Sequence, residues 1–162
     1  MRLILRGRGA DPVIVNGIRA RVLDRADPLE GWFTHDRGCG GVDVRNAVID
    51  LDKDPPKIAF SGLVQKNPGK QTLALTLQVT STDVEVIDVL AKTRRNDVKW
   101  ELEILYSAAG ESGVFTVRDG NEPFEVTALK GGRARFYRVD YPSPRLVRES
   151  ESDPASDGLH FC

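Results

Sequence analysis

With only two cysteines and two histidines in 162 residues, the chain can build a zinc site from those residue types in one way, by using all four. They are His35, Cys39, His160 and Cys162. Their spacing is not a recognised finger pattern, and the two pairs would have to meet in space. Neither cysteine belongs to a Cys-x-x-Cys pair, so reduced thiols are expected. Long hydrophobic runs are also lacking. None approaches the ~20 residues of a membrane helix, and Met-Arg-Leu-Ile-Leu-Arg-Gly is too short for the apolar core of a signal peptide. The expectation is a soluble chain with no membrane span, unexported by the usual route. A strong charge of either sign is missing: 23 basic against 24 acidic residues give a formal charge of −1. That removes any global electrostatic case for nucleic acid or anionic membrane as principal ligand, while local patches stay open.

Catalytic signatures are scarce as well. There is no Gly-x-Ser-x-Gly elbow and no Gly-x-x-x-x-Gly-Lys phosphate loop, and Gly7-Arg-Gly9 lacks a helix to present it to a phosphate. Cys39, in Arg37-Gly-Cys-Gly-Gly41, would need an activating environment to serve as a nucleophile with His35 as base. Glycines in such a loop more commonly serve backbone geometry. Asp50-Leu-Asp-Lys-Asp54 begins like a calcium loop, but Pro55 and Ser61 stand where an EF-hand needs glycine and a bidentate glutamate. A solvated turn is expected there. The chain therefore reads as non-enzymatic, with no catalytic residue, no cofactor and no metal.

What the sequence does carry is alternation. Leu73, Leu75, Leu77 and Val79 fall at every second position between Gln71 and Thr80, which places them on one face of a pleated strand. Val98, Trp100, Leu102, Ile104 and Tyr106 repeat the pattern, with Lys99, Glu101 and Glu103 directed at water or a polar partner. Between these strands Thr82 and Glu85 have capping-box spacing. Val84, Ile87, Leu90 and Ala91 mark one helical face, and Lys92, Arg94 and Arg95 suit the negative end of a helix dipole. A short helix over 82–95 follows from this reading.

Further strands are expected near Arg2–Arg6, Val13–Leu23, Val42–Leu51, Ile58–Val64, Val114–Arg118, Phe124–Leu129 and Ala134–Tyr141. Turns are expected at Asn16-Gly17, Gly110–Gly113, Asp119-Gly120 and Gly131-Gly132. The fold class is mainly β: an antiparallel β-sandwich or partly closed barrel with one short flanking α-helix. Residues 1–141 form one domain with long loops at 24–41 and 50–56. Pro142 and Pro144 break the last strand, and Glu149, Glu151, Asp153 and Asp157 lie among serines, so 142–162 is an extended acidic C-terminal arm.

Two groups of residues stand out as contact surfaces. Trp32 and Phe33, adjacent aromatics in a polar loop, either plug the end of the sandwich or anchor an interface. Lys130, Arg133, Arg135 and Arg138 gather among Phe136, Tyr137 and Tyr141, a mixture that single-stranded nucleic-acid grooves use. Arg133 and Arg135 share a strand face with Tyr137 while Phe136 and Arg138 lie on the other, and a rim of inter-subunit salt bridges or an ordinary solvated face explains the group as well.

A sandwich flanked by one helix, entered from Gln71–Thr80, capped at Thr82 and left by Val98–Tyr106, resembles the module of tail-tube, distal-tail and baseplate proteins of tailed bacteriophages. The likeness covers residues 58–141 in organisation and has no diagnostic motif. It implies a structural virion subunit that self-associates into rings around a DNA channel and meets neighbouring tail proteins. Trp32, Phe33, Arg133, Arg135 and Tyr137 would then form the interface, with 1–10, 24–41 and 142–162 as reaching arms. Thr72, Thr76, Gln78, Lys99, Glu101 and Glu103 would line a lumen or a subunit contact. The near-neutral composition departs from the acidic lumen of such tubes. The alternative is a monomeric β-sandwich module that binds carbohydrate or nucleic acid.

Overall fold

A computed structural model describes residues 1–35, 45–61, 76–128, 135–140 and 145–148. Among them the regular structure is all strand: β1 (Arg2–Arg6), β2 (Val13–Ala26), β3 (Trp32–His35), β4 (Arg45–Asp50), β5 (Lys57–Ser61), β6 (Leu77–Val79), β7 (Val84–Lys92), β8 (Asp97–Ala108), β9 (Glu111–Val117), β10 (Phe124–Thr127), β11 (Arg135–Asp140) and β12 (Arg145–Arg148). Two larger sheets share one apolar core. The first runs β1-β7-β4-β5; the second runs β10-β8-β2-β6, with β9 also pairing β8. A third, small sheet has the order β12-β11-β3. The sheets do not close into a barrel, and two pairings, β4 with β7 and β3 with β11, are parallel rather than antiparallel.

The core follows the alternation. Val98, Trp100, Leu102 and Ile104 on β8 are buried, facing Ala47, Ile49, Ile87 and Val89 of the first sheet within one cluster. Leu77 and Val79 on β6 join it, while Leu73 and Leu75 lie outside the described residues. Trp100 also meets Phe124 of β10, ring centroids 5.0 Å apart.

The expected helix over 82–95 is absent, and β7 occupies most of its span. Val84, Val86, Ile87 and Val89 are β-branched and lose side-chain freedom in a helix, whereas a strand at this position pairs on both edges. The capping residues have other tasks. Glu85 forms a two-pronged ion pair with Arg45 (2.9 and 3.3 Å), and the Thr82 N–H donates at 3.3 Å to Thr80 Oγ1, which also accepts the Asp83 N–H at 2.9 Å and holds the turn before β7. A short amphipathic pattern fits periods of two and 3.6 alike, and here the two neighbouring strands decide.

The Asn16-Gly17 hairpin is likewise absent; both residues lie inside β2, where the register against β8 slips between Val15 and Gly17. This bulge corrects the phase. Strict alternation would send Ile18 to the opposite face from Val15, and one extra residue lets both enter the core. The turn between β8 and β9 is tighter than expected, a two-residue Ala109-Gly110 hairpin with φ of 51° and 83°. The Asp119-Gly120 turn is present, closed by reciprocal backbone hydrogen bonds between Asp119 and Glu122 at 2.9 and 3.1 Å. The Gly131-Gly132 turn lies outside the described residues. Two further corrections concern supposed irregular stretches: β3 falls inside the loop 24–41, and β12 falls inside the arm 142–162.

Candidate nucleic-acid interface

The three-stranded sheet is built from the stretches that stood apart in sequence as contact candidates. Trp32, Phe33 and Thr34 have high strand propensity, and β3 pairs in parallel with β11 so that Trp32 lies beside Arg135, Phe33 beside Phe136, Thr34 beside Tyr137 and His35 beside Arg138. On its other edge β11 pairs antiparallel with β12: Tyr137 with Arg148, Arg138 with Val147, Val139 with Leu146 and Asp140 with Arg145. The three strands thus hold Arg135, Arg138, Arg145 and Arg148 against one carboxylate, Asp140. They also hold four aromatics, Trp32, Phe33, Phe136 and Tyr137. Tyr137 and Val147 are half-buried, and Arg145 and Leu146 are exposed.

Of the expected interface residues, Trp32, Phe33, Arg135 and Tyr137 are therefore brought onto adjacent strands, and Arg133 lies outside the described residues with Lys130 and Tyr141. His35 is on β3, but Cys39, His160 and Cys162 lie outside the described residues. Among the described residues no cluster of three or more histidine, cysteine, aspartate or glutamate side chains could hold a metal ion, and no helix is long and apolar enough to cross a membrane.

Of the two settings expected for the polar face of β8, water or a polar partner, its glutamates take the second. Glu101 and Glu103 are buried at 1% and 7% exposure rather than open to water. Arginines of the neighbouring strands cover them: Arg19 bonds Glu103, Arg21 bonds both glutamates and Arg118 of the β9–β10 connection bonds Glu101. Burial works to raise the Glu101 pKa, but hydrogen bonds from Arg21 and Arg118, aided by their charges, outweigh it and hold the carboxyl below its ordinary value. Gln78 and Lys99 stay exposed. The outer surface above these two carboxylates is consequently guanidinium, not carboxylate, with Arg19, Arg21 and Arg118 each about half exposed. Sequence reading missed this layer because strand partners decide which charge lies beneath the other. The only signal was the alternation of Arg19 and Arg21 with apolar residues on β2, a match for Glu101 and Glu103 on β8.

No protein-family model, no curated protein and no solved structure matches this chain.

Proposed function

We propose that this chain is a non-enzymatic binding module for single-stranded nucleic acid, with the three-stranded sheet as its contact surface. The observation that carries the reading is the register of β3 on β11, which sets Trp32 beside Arg135 at positions of one sheet face that Tyr137 shares, with Phe33 and Phe136 at positions of the other face. Binding a single strand without sequence preference requires cations for the phosphates and aromatic faces for the bases, within a few residues of each other. An excess of arginine favours a polyanion over a neutral sugar, the other ligand that aromatic platforms take.

Fluorescence anisotropy of a labelled oligothymidine of about 20 nucleotides tests this, with salt varied from about 50 to 200 mM. Binding is expected to weaken with salt, and R135A is expected to reduce the logarithmic salt slope by about 0.7 if this arginine neutralises one phosphate. W32A/Y137A should weaken binding at least tenfold while leaving the slope unchanged. No binding at the lowest salt, or indifference to both variants, overturns the proposal.

A second reading, a self-associating phage-tail subunit in the virion, has its own support. Among the described residues β1 pairs only with β7 and carries Ile4 at 67% exposure, and β9 pairs only with β8 and carries Val114 and Phe115 at 51% and 62%. Unpaired edges with exposed apolar residues are what ring assembly would use. Light scattering over a range of concentrations, with electron microscopy, separates the two: rings, tubes or growing oligomers favour the tail subunit, and a strict monomer favours the binding module.

A further inference from the structure

A second concentration of positive charge lies where the parallel pair β4 and β7 ends. Because these strands run the same way, the turns that follow them, 51–56 and 93–96, sit side by side, with Asp50 in register with Lys92. The pairing continues one step into the turns, where the Leu51 N–H donates to the Lys92 carbonyl at 3.0 Å. Asp52 then clamps one turn to the other: its Oδ1 accepts the Thr93 hydroxyl and its Oδ2 accepts the Arg94 N–H, both at 2.9 Å. Arg25 braces the same rim, donating to the Leu51 and Lys53 carbonyls at 3.1 and 3.3 Å. Between the turns is a cleft of about 250 Å³ lined by Asp50, Asp52, Lys53, Lys92, Arg94 and Arg95.

The charges of this lining are unequal in number and in engagement. Both Asp52 oxygens are occupied, and Asp50 Oδ1 accepts the Asp52 N–H at 3.2 Å. Lys53, Lys92, Arg94 and Arg95 are exposed, and among the described residues none of their side chains has an ion-pair or hydrogen-bond partner. A metal cation would meet four positive charges and carboxylates already committed to the rim. An anion with several acceptor oxygens meets two ammonium groups and two guanidinium forks in a concave site whose walls are fixed by Asp52.

We infer that this cleft binds a phosphate-bearing anion through Lys53, Lys92, Arg94 and Arg95, with Asp52 as the positioning residue that holds the two turns together. The phosphate belongs either to a nucleic-acid strand or to a free phosphorylated molecule. Chain geometry allows the first source. Arg25, bonded to this rim, is seven residues before Trp32, and Ala128, whose N–H donates to the Asn96 carbonyl at 2.9 Å, is seven residues before Arg135. A seven-residue span reaches at most ~25 Å, so both strands at the heart of the three-stranded sheet start within that distance of the cleft's surroundings.

The test follows backbone amides by NMR in the full chain, comparing sodium pyrophosphate, a nucleoside diphosphate and an oligothymidine at matched ionic strength. The expected result is saturable shifts at amides within 50–54 and 92–96 with at least one of the three. Affinity should be at least tenfold weaker in R94Q/R95Q and unchanged in K99Q, which alters an exposed lysine on β8. Shifts with the oligothymidine assign the phosphate to a nucleic-acid strand; shifts with pyrophosphate or the nucleotide alone assign it to a free phosphate. Absence of saturable shifts with all three, or equal shifts in R94Q/R95Q, overturns the inference. If all three leave these amides unshifted while oligothymidine still binds, the inference falls and the three-stranded-sheet reading stands.

Discussion

Val89 and Leu90 are adjacent in sequence, and the strand and helix readings of 84–92 assign them opposite fates. In β7, Val89 lies in the core at 4% exposure and Leu90 projects from the other face, half-buried. In a helix with Val84, Ile87, Leu90 and Ala91 on its apolar face, Leu90 would be the core residue and Val89 would lie off that face. Val89→Ala deletes the equivalent of two methylene groups from a packed site, about 1.6 kcal/mol of transfer free energy at ~0.8 kcal/mol each. The cavity left behind brings the expected cost to about 2–3 kcal/mol. Leu90→Ala removes more atoms from a less buried position and should cost no more than about 1 kcal/mol. Urea unfolding at constant m-value reads the difference directly, and in a thermal scan Val89→Ala should lower Tm by roughly 5–10 °C for a domain of this size. A Leu90→Ala cost equal to or above that of Val89→Ala would refute the strand assignment and with it the parallel β4–β7 pairing that forms the cleft.

Other expected outcomes probe single features. Ala109 holds a left-handed φ of 51° ahead of Gly110, so Ala109→Asn, which gives the favoured Asn-Gly turn, should stabilise by about 0.5–1 kcal/mol in urea melts; a destabilised variant would contradict the two-residue hairpin. A Cβ at Gly113 would stand 2.7 Å from the Tyr106 ring across the strand pair, so Gly113→Ala should cost about 1–3 kcal/mol. Truncating the ring as Tyr106→Leu should remove most of that penalty in a double-mutant cycle. The Glu101 carboxyl is held below its ordinary value of 4.5, and Asp88, hydrogen-bonded to Arg2, is held below 3.8. Such groups contribute stability that is full above the ordinary values and lost as pH falls through the lowered ones. The urea midpoint should therefore decline in acid, and less steeply in E101Q, which has no proton to take up; parallel declines would assign the acid sensitivity elsewhere.

Much of the core was legible because β8 alternates without interruption from Val98 to Ile104, a pattern that only a strand satisfies over that length. β1 likewise agrees with its expected bounds, Arg2–Arg6. β7 was not legible because eight or nine residues of mixed Val, Ile, Leu and charge satisfy two periods at once, and the deciding contacts come from Leu3 and Ala47, far away in sequence. The bulge at Asn16 was hidden behind a strong local turn signal, Asn-Gly, that β8 overrides by pairing through it. For the candidate sites the same rule applies. Trp32 and Arg135 were visible as residues worth weighing, yet their adjacency depends on a pairing across more than 100 positions of sequence. Lys92, Arg94 and Arg95 were visible as cations but acquired a helical explanation, which concealed their position opposite Asp52.

The neutral composition carries the remaining lesson. A formal charge of −1 describes the field far from the molecule, where ions screen it beyond about 8–10 Å. A phosphate within that distance responds to local charge instead, and the strands of the small sheet hold four arginines against one aspartate while the cleft holds four cations against two engaged carboxylates. Neutrality of the whole therefore removes the net-charge contribution to long-range steering of a polyanion but not its capture at close range. The two effects separate in kinetics. On the proposed reading, association with a single strand should proceed at an unremarkable rate and affinity should come from slow dissociation, because the charges that matter act only within a screening length of the surface.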